Sequence, residues 1–318
     1  MAALRFGVLG TGYWALETHA AVLAASGDAE LAGIWGRDPA KTQTAAARFG
    51  IKGHTDLDRL LAEVDAVAIA VPPDVQAELA ARAAAAGRHL LLDKPLALSL
   101  DGADRVAGAV AASGVASLVF FTLRFLPELA AWVADAGAAG DWQGGDGAWL
   151  GSVFTDPDSP FGGSSWRRAK GALWDLGPHV LSLALPVLGP VERVAAGSGH
   201  GDTAHLVLSH AGGASSTLTM SQSVPVPAAH IGLAVWGPRG RSVTPPFELA
   251  HLDAMAEAVR QLTATVAAGG TSHPCDVRLG RDAVAVLDAA ERFLAGGVEA
   301  RTTGVAPQPV RARSRNPR

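Results

Sequence analysis

Cys275 is the only thiol in 318 residues. That excludes an intramolecular disulfide and any cysteine-built zinc or iron–sulfur cluster, and it fits a reducing compartment. Lysine is scarce too, at positions 41, 52, 94 and 170 only, which leaves 22 of the 26 basic residues as Arg. Together with abundant Ala, this reads as genomic base composition. It also makes each retained Lys a candidate for work that needs a titratable amine. Charge of one sign is missing as well: 26 basic against 30 acidic residues give a net charge of −4. Such a balance supplies no field for nucleic acid or an anionic membrane. Apolar runs such as Val180–Leu188 fall short of the ~20 residues a spanning helix needs. At the N-terminus, Arg5, the apolar stretch Phe6–Leu16 and the small residues of AAVLAAS imitate a signal peptide. Glu17 and His19 interrupt it, so the expectation is a cytoplasmic protein with no membrane or nucleic-acid partner.

Hydrophobic residues make up 49% of the chain and charged residues 18%, enough to bury a core without staples. The length suggests two domains. Through residue 122, short apolar runs (Leu4–Leu9, Leu31–Trp35, Ala66–Val71, His89–Leu92, Val115–Phe121) alternate with helical stretches near 13–26, 39–49, 57–63, 74–86 and 101–113. This pattern predicts βαβ units and a doubly wound parallel sheet of Rossmann type, an α/β fold. From 123 to 305 the pattern changes. A helix from Leu126 precedes a strand at Gly147–Phe154 and a loop at Thr155–Ser165. A helix at Trp174–Leu188 follows, then four alternating strands near 191–196, 203–210, 214–221 and 230–236 and a turn at 238–241. Helices near 249–268 and 278–295 complete it. That is an α+β domain with one sheet face covered by helices. The Pro- and Arg-rich tail 306–318 lacks interleaved aromatics and is expected to be mobile.

Gly10-Thr11-Gly12-Tyr13-Trp14-Ala15 follows the first strand directly and opens the first helix. This is G-x-G-x-x-A, the dinucleotide turn. Its first Gly permits the bend, its second admits a pyrophosphate, and its small third residue packs helix against strand. Free N–H groups at the helix start face the phosphates. After the second strand, NAD enzymes place an acid and NADP enzymes an Arg. Here Gly36-Arg37-Asp38-Pro39 favours NADP, with NAD possible and with Asp38 free to cap the next helix.

Asp93-Lys94-Pro95 closes an apolar strand at the sheet edge where open α/β folds bind ligands. A Lys there can polarise a carbonyl or steady an alkoxide. In Trp174-Asp175-Leu176-Gly177-Pro178-His179, Asp175 and His179 are four apart. If helical, they share one face, and a His beside a carboxylate suits proton transfer at a hydroxyl or carbonyl oxygen. An N-cap Asp and a core His are the alternative. No third ligand stands at metal spacing, so no metal is expected.

Together, GTGYWA, the DKP turn, the DLGPH segment, WGRDPAKTQTAAARFG and FTLRFLP resemble the Gfo/Idh/MocA family of NAD(P)-dependent oxidoreductases, in order and over nearly the whole chain. The resemblance implies a Rossmann domain followed by a domain with a large, open, mostly antiparallel sheet, whose exposed face mediates a homodimer or homotetramer. It implies hydride transfer between the nicotinamide and a hydroxyl or ketone carbon of a sugar, cyclitol or related polar small molecule. Lys94 matches the lysine of the family's E-K-P motif, with Asp93 in place of Glu. Asp175 and His179 match the Asp and His that line the site, His179 as acid/base and Lys94 as its electrostatic partner. Gly10 through Ala15, Arg37, Val71, Pro72, Gln76, Asp93 and Lys94 are the expected cofactor contacts, and Arg124, Trp166 and Arg167 the expected substrate neighbours. Two positions depart from the family pattern: Gln76 stands where a His is usual, and Ser182 where an Asp is usual. Other uses of such a fold are a dinucleotide-binding sensor, whose expected mark is loss of the Lys or His, and an NAD-dependent glycoside hydrolase.

Overall fold

The computed structural model describes residues 3–296 together with 300 and 301. The expected domain end at 305 and the tail 306–318 lie outside the described residues.

The first half alternates as its apolar periodicity demands. The order is β1 (Leu4–Leu9), a π-helical turn Ala15–Ala20 continuing into α1 (Ala21–Ala25), β2 (Ala29–Trp35), α2 (Pro39–Phe49), β3 (Lys52–His54) and α3 (Leu57–Glu63). Then follow β4 (Ala66–Ile69), α4 (Pro73–Ala85), β5 (His89–Asp93), α5 (Leu100–Ser113) and β6 (Ser117–Phe120). The strands form one parallel sheet in the order β3-β2-β1-β4-β5-β6. The order reverses between β1 and β4, which opens a crevice at their carboxyl ends. Helix boundaries have local causes. Asp38 caps α2 by accepting from the Ala40 and Lys41 amides, and Gly50 ends that helix at φ 66°. Ser99 caps α5 the same way. Strand β3 escapes sequence analysis because Lys-Gly-His at a sheet edge has no buried face to leave an apolar pattern.

The second half begins with a 3-10 turn at Thr122–Phe125, then α6 (Pro127–Ala139), β7 (Gly144–Leu150), α7 (Ser165–Asp175), α8 (Gly177–Leu188), β8 (Val191–Ser198), β9 (Ala204–His210) and β10 (Ser215–Ser221). After a 3-10 turn at Val226–Ala228 come β11 (His230–Gly237), β12 (Gly240–Val243), α9 (His251–Ala267), α10 (Val277–Leu294) and β13 (Ala300–Arg301). Their sheet runs β12-β11-β7-β10-β9-β8-β13. Every pair is antiparallel except β7 with β10. Strand β7 starts three residues before the predicted strand. Its first residues are glycines because a Cβ on Gly144 would lie 2.5 Å from the Trp236 ring. The helix expected at Trp174–Leu188 is two. Helix α7 begins at Ser165, bends where Gly171 adopts φ 63°, and meets α8 across Leu176. The stretch Ser165–Leu188 is long and apolar enough to cross a membrane by length and composition, and 89% of its most apolar window is buried inside the fold.

Helices α9 and α10 pack back against the first half, α9 on α1 and β6, α10 on α5 and β6. The Val119 amide on edge strand β6 donates to the Cys275 carbonyl at 2.7 Å, which satisfies part of an otherwise open edge.

One packing device sits at the centre of the parallel sheet. Gly7 on β1 pairs with Gly33 on β2, and together they leave a hollow filled by the fully buried Leu60 of α3. A Cβ on either glycine would stand within 2.9 Å of a Leu60 methyl. Leu60→Ala should therefore cost about 3 kcal/mol in urea unfolding. Gly33→Ala should destabilise the wild type more than it destabilises the Leu60→Ala background, because the methyl it adds then enters a vacated space.

Candidate active site

The crevice is a cavity of about 700 Å³ between the two halves. Its floor is the glycine turn. Gly10 lies at φ 134°, and a Cβ there would sit 2.4 Å from the Ala70 carbonyl oxygen, so only glycine fits. A Cβ on Gly12 would meet nothing within 4 Å, so this backbone faces open space at a helix N-terminus, the arrangement that receives a phosphate. Thr11, Tyr13, Trp14, Ala15, Val71 and Pro72 line the same cavity. At the far end, Gly36 has no room for a side chain, because a Cβ would lie 2.5 Å from the Thr42 hydroxyl. An acid is therefore sterically absent at that strand end. Arg37 is exposed at the cavity rim, and Asp38 turns away to cap α2. The residues present fit a dinucleotide: a cradle that a Cβ would fill and a cation at its outer end.

Strand β5 delivers Asp93 and Lys94 to the other end. The Lys94 ammonium donates to the Asp175 backbone carbonyl at 2.8 Å and to its Oδ1, and it lies 6.0 Å from the centre of the Trp166 ring. Arg167 Nε donates to Asp175 Oδ2 at 2.9 Å, so both carboxylate oxygens are occupied. Burial by itself raises the Asp175 pKa. The Lys94 and Arg167 cations and the Lys94 hydrogen bond outweigh it and hold the carboxyl below its ordinary value. Asp175 closes α7 and His179 stands in the first turn of α8 beside Pro178. The near-continuous winding across Leu176 brings both into the cavity, as their spacing predicts. His179 is 4% exposed and packs on Trp149 with ring centres 4.8 Å apart. Its burial first, then the Lys94 and Arg167 charges, push its pKa well below the usual value against the upward pull of Asp175. The imidazole is neutral at physiological pH.

One expectation needs correcting. Arg124 does not line the cavity. Its guanidinium donates to the Ser182 carbonyl at 2.9 Å, clasping the 3-10 turn to α8. Ser182 itself is fully buried and donates its hydroxyl to the His179 carbonyl at 2.6 Å, so its side chain supports the helix rather than facing a substrate. Gln76 does border the cavity, but its amide donates to the carbonyls of Asp93 (2.7 Å) and Pro95 (2.8 Å) and braces the turn that carries Lys94. Trp166 and Arg167 line the cavity.

An aromatic wall that no motif marks lines the cavity beside these groups. Phe161, from the irregular segment between β7 and α7, packs edge-on against Tyr13 and Trp14. The Arg167 guanidinium stacks 4.5 Å from Phe161 and 4.8 Å from Trp166. Trp149 on β7 and His251 at the start of α9 complete this side. No spacing rule links these residues, because they converge from separate elements.

The buried charges make a stability prediction. Replacing Lys94 with Met leaves the Asp175 carboxylate short of one cation in a desolvated place. It should cost about 3 kcal/mol in urea unfolding, and adding Asp175→Asn should recover part of the loss.

Residues 4–121 match the family described as "Oxidoreductase family, NAD-binding Rossmann fold", and residues 130–243 match the "GFO/IDH/MocA C-terminal domain". An uncharacterised oxidoreductase of Rhizobium meliloti is 32% identical over 234 residues, covering 69% of this chain and 68% of the relative. Levoglucosan dehydrogenase of Pseudarthrobacter phenanthrenivorans is 32% identical over 167 residues, 49% of this chain and 42% of that enzyme, so the match spans less than half of its length. Among solved structures, GenD2 from gentamicin A biosynthesis in complex with NAD superimposes with a TM-score of 0.79 at 25% identity, covering 95% of this chain and 97% of that one. With both halves matched in order, and with a parallel sheet followed by a mixed one, the chain belongs to the Gfo/Idh/MocA family of oxidoreductases.

Proposed function

We propose that the chain is a dehydrogenase or reductase that moves hydride between NADP(H) and a hydroxyl or ketone carbon of a sugar, cyclitol or related polar small molecule. One observation carries this reading: Lys94, Asp175, Arg167 and a neutral His179 meet in the same cavity as a glycine turn shaped for a dinucleotide. The bound nicotinamide would accept or supply the hydride. The glycine turn would hold the pyrophosphate and Arg37 a 2′-phosphate. His179, neutral at rest, takes the proton as a substrate hydroxyl becomes a carbonyl. Lys94 lies where its ammonium can stabilise negative charge developing on that oxygen, and Asp175 holds Lys94 and Arg167 in register. Trp149 and Trp166 offer flat apolar surface to the CH face of a ring. NAD in place of NADP is the second reading for the cofactor. Val207, Trp236 and Val243, exposed on β9, β11 and β12, support association of two or four copies through that sheet.

Two measurements test the reading. Titration of the tryptophan fluorescence with NADPH and NADH should show tighter binding of NADPH. Arg37→Ala should weaken NADPH about 10- to 100-fold, the worth of charge-assisted hydrogen bonds, and leave NADH nearly unchanged. Failure of both nucleotides to bind overturns the proposal. Once a substrate is in hand, His179→Ala should lower turnover by roughly 10²–10⁴. For alcohol oxidation kcat/KM should stay flat down through pH 6.5, because a depressed histidine pKa keeps the base form available, and fall only in more acid solution. Arg167→Gln removes a charge that disfavours the imidazolium, so the acid limb should move upward.

A further inference from the structure

Asp93 is a buried carboxylate that the proposed chemistry does not use, and it is satisfied from two different elements. Its Oδ1 accepts the backbone amide of Lys94 at 2.7 Å. Its Oδ2 accepts the indole N–H of Trp14 and lies 3.3 Å from His19 Nε2. Trp14 belongs to the glycine turn, and His19 lies five residues later on the π-helical turn Ala15–Ala20, where the Ala21 amide bonds back to the Leu16 carbonyl. This i→i+5 winding brings residues five apart toward one face, which an α-helix would not do, and such turns recur at functional sites. Trp14 is fixed on its other sides by Phe161 at 5.9 Å and His251 at 5.6 Å between ring centres. Resting on the reading of Lys94 as the electrostatic partner in the reaction, we propose that Trp14 is a positioning residue for Lys94. Its indole N–H holds Asp93, and Asp93 sets the Lys94 backbone, so the dinucleotide turn and the lysine turn move as one body. An acid with a side chain as short as Asp suits this role: it keeps the carboxylate withdrawn at the strand end, where the indole reaches it, rather than extended into the cavity. Gln76, from α4, braces the same turn through the Asp93 and Pro95 carbonyls. The Lys94 backbone is thereby held by side chains from two separate elements.

The scarcity of lysine supplies the test. Protein labelled with ¹⁵N-lysine shows backbone amides for Lys41, Lys52, Lys94 and Lys170 only, and Lys94→Arg identifies the Lys94 signal. Trp14→Phe keeps an aromatic ring and removes the N–H donor. Asp93→Asn can keep an acceptor for the Lys94 amide, but its NH₂ cannot accept from Trp14. Each substitution should shift the Lys94 amide in the nucleotide-free protein, the double variant should shift it no further than the larger single one, and the other three signals should stay in place. A Lys94 amide unmoved by Trp14→Phe, or shifts that simply add, overturns the proposal. If Trp14→Phe fails to fold, as spread of all four signals would reveal, Asp93→Asn alone decides, an unmoved Lys94 amide again being the overturning result. NADPH should shift the Lys94 amide in the wild type and less so in Trp14→Phe. Absence of any NADPH response in the wild type would count against the dinucleotide reading, while the nucleotide-free comparison still decides the role of Trp14. In turnover, Trp14→Phe should lower kcat about tenfold with little change in substrate KM, as expected for a misplaced group rather than a lost contact.

Discussion

The Asp175 carboxylate is almost fully withdrawn from water, and it stays charged because Lys94 and Arg167 occupy its two oxygens. Burying an ion is expensive, and mutual attraction in a low-dielectric interior repays it only when geometry is tight and every lone pair is used. This single requirement ties the halves of the molecule together. Lys94 comes from the end of β5 in the parallel sheet, Asp175 and Arg167 from the helix that precedes α8. Neither half can move away without leaving a charge unpaired. The same cluster sets the protonation of His179, because two nearby cations and burial together outweigh one carboxylate. Structure and chemistry therefore share one constraint. A substitution that alters the reaction at this cluster also alters stability, and the two effects have to be measured separately.

Neutrality of His179 has a directional consequence. A base needs its unprotonated form and an acid its protonated form, and the resting enzyme supplies the first. With His179 as the base, oxidation of a hydroxyl would begin from that state directly. Reduction of a ketone would need an imidazolium formed against burial and two cations, or a proton delivered by another donor such as Lys94. Substrate and cofactor charges enter the same balance. A nucleotide phosphate held at the glycine turn would act from a distance, while an anionic substrate group beside Arg167 would raise the histidine pKa.

What was legible in the sequence is what is local. The glycine turn announces itself because sterics at Gly10 tolerate no side chain and Gly12 leaves open space before the first helix, and the apolar runs announce β1, β4 and β5 because both faces are buried. Lys94 and His179 could be located from short segments whose backbone geometry those segments determine. Four features were hidden for physical reasons. Strand β3 buries nothing that would leave a pattern. The parallel pairing of β7 with β10 depends on how distant strands order themselves. Arg124 looks like a site residue by neighbourhood, yet its guanidinium is engaged by the Ser182 carbonyl of α8, a long-range contact that no local pattern reveals. The Arg167–Asp175 pair spans the bend at Gly171, where helical spacing no longer says which side chains meet.

The aromatic wall has the same origin and bears on specificity. Glycine turn, lysine and histidine sit on strand ends and helix starts whose positions are over-determined by the core. Phe161 comes instead from the turn-rich segment after β7. Its backbone is tied to the sheet by few bonds, from Gly151 to the Ser221 carbonyl, from Phe154 to the Gln222 carbonyl and from Val224 back to the Gly151 carbonyl. Such a segment can change sequence and shape without disturbing the sheet that anchors it. Yet Phe161 touches Tyr13, Trp14 and Arg167, and through Arg167 it reaches the carboxylate that orders Lys94. A segment tied to the sheet by few backbone bonds is thus in contact with the buried charge cluster. A fold of this kind can therefore keep the Lys94–Asp175–His179 cluster while changing what it accepts, and on the proposed reading selectivity has to be sought in the Phe161, Trp166 and Trp149 surfaces rather than in the motifs that reveal the family.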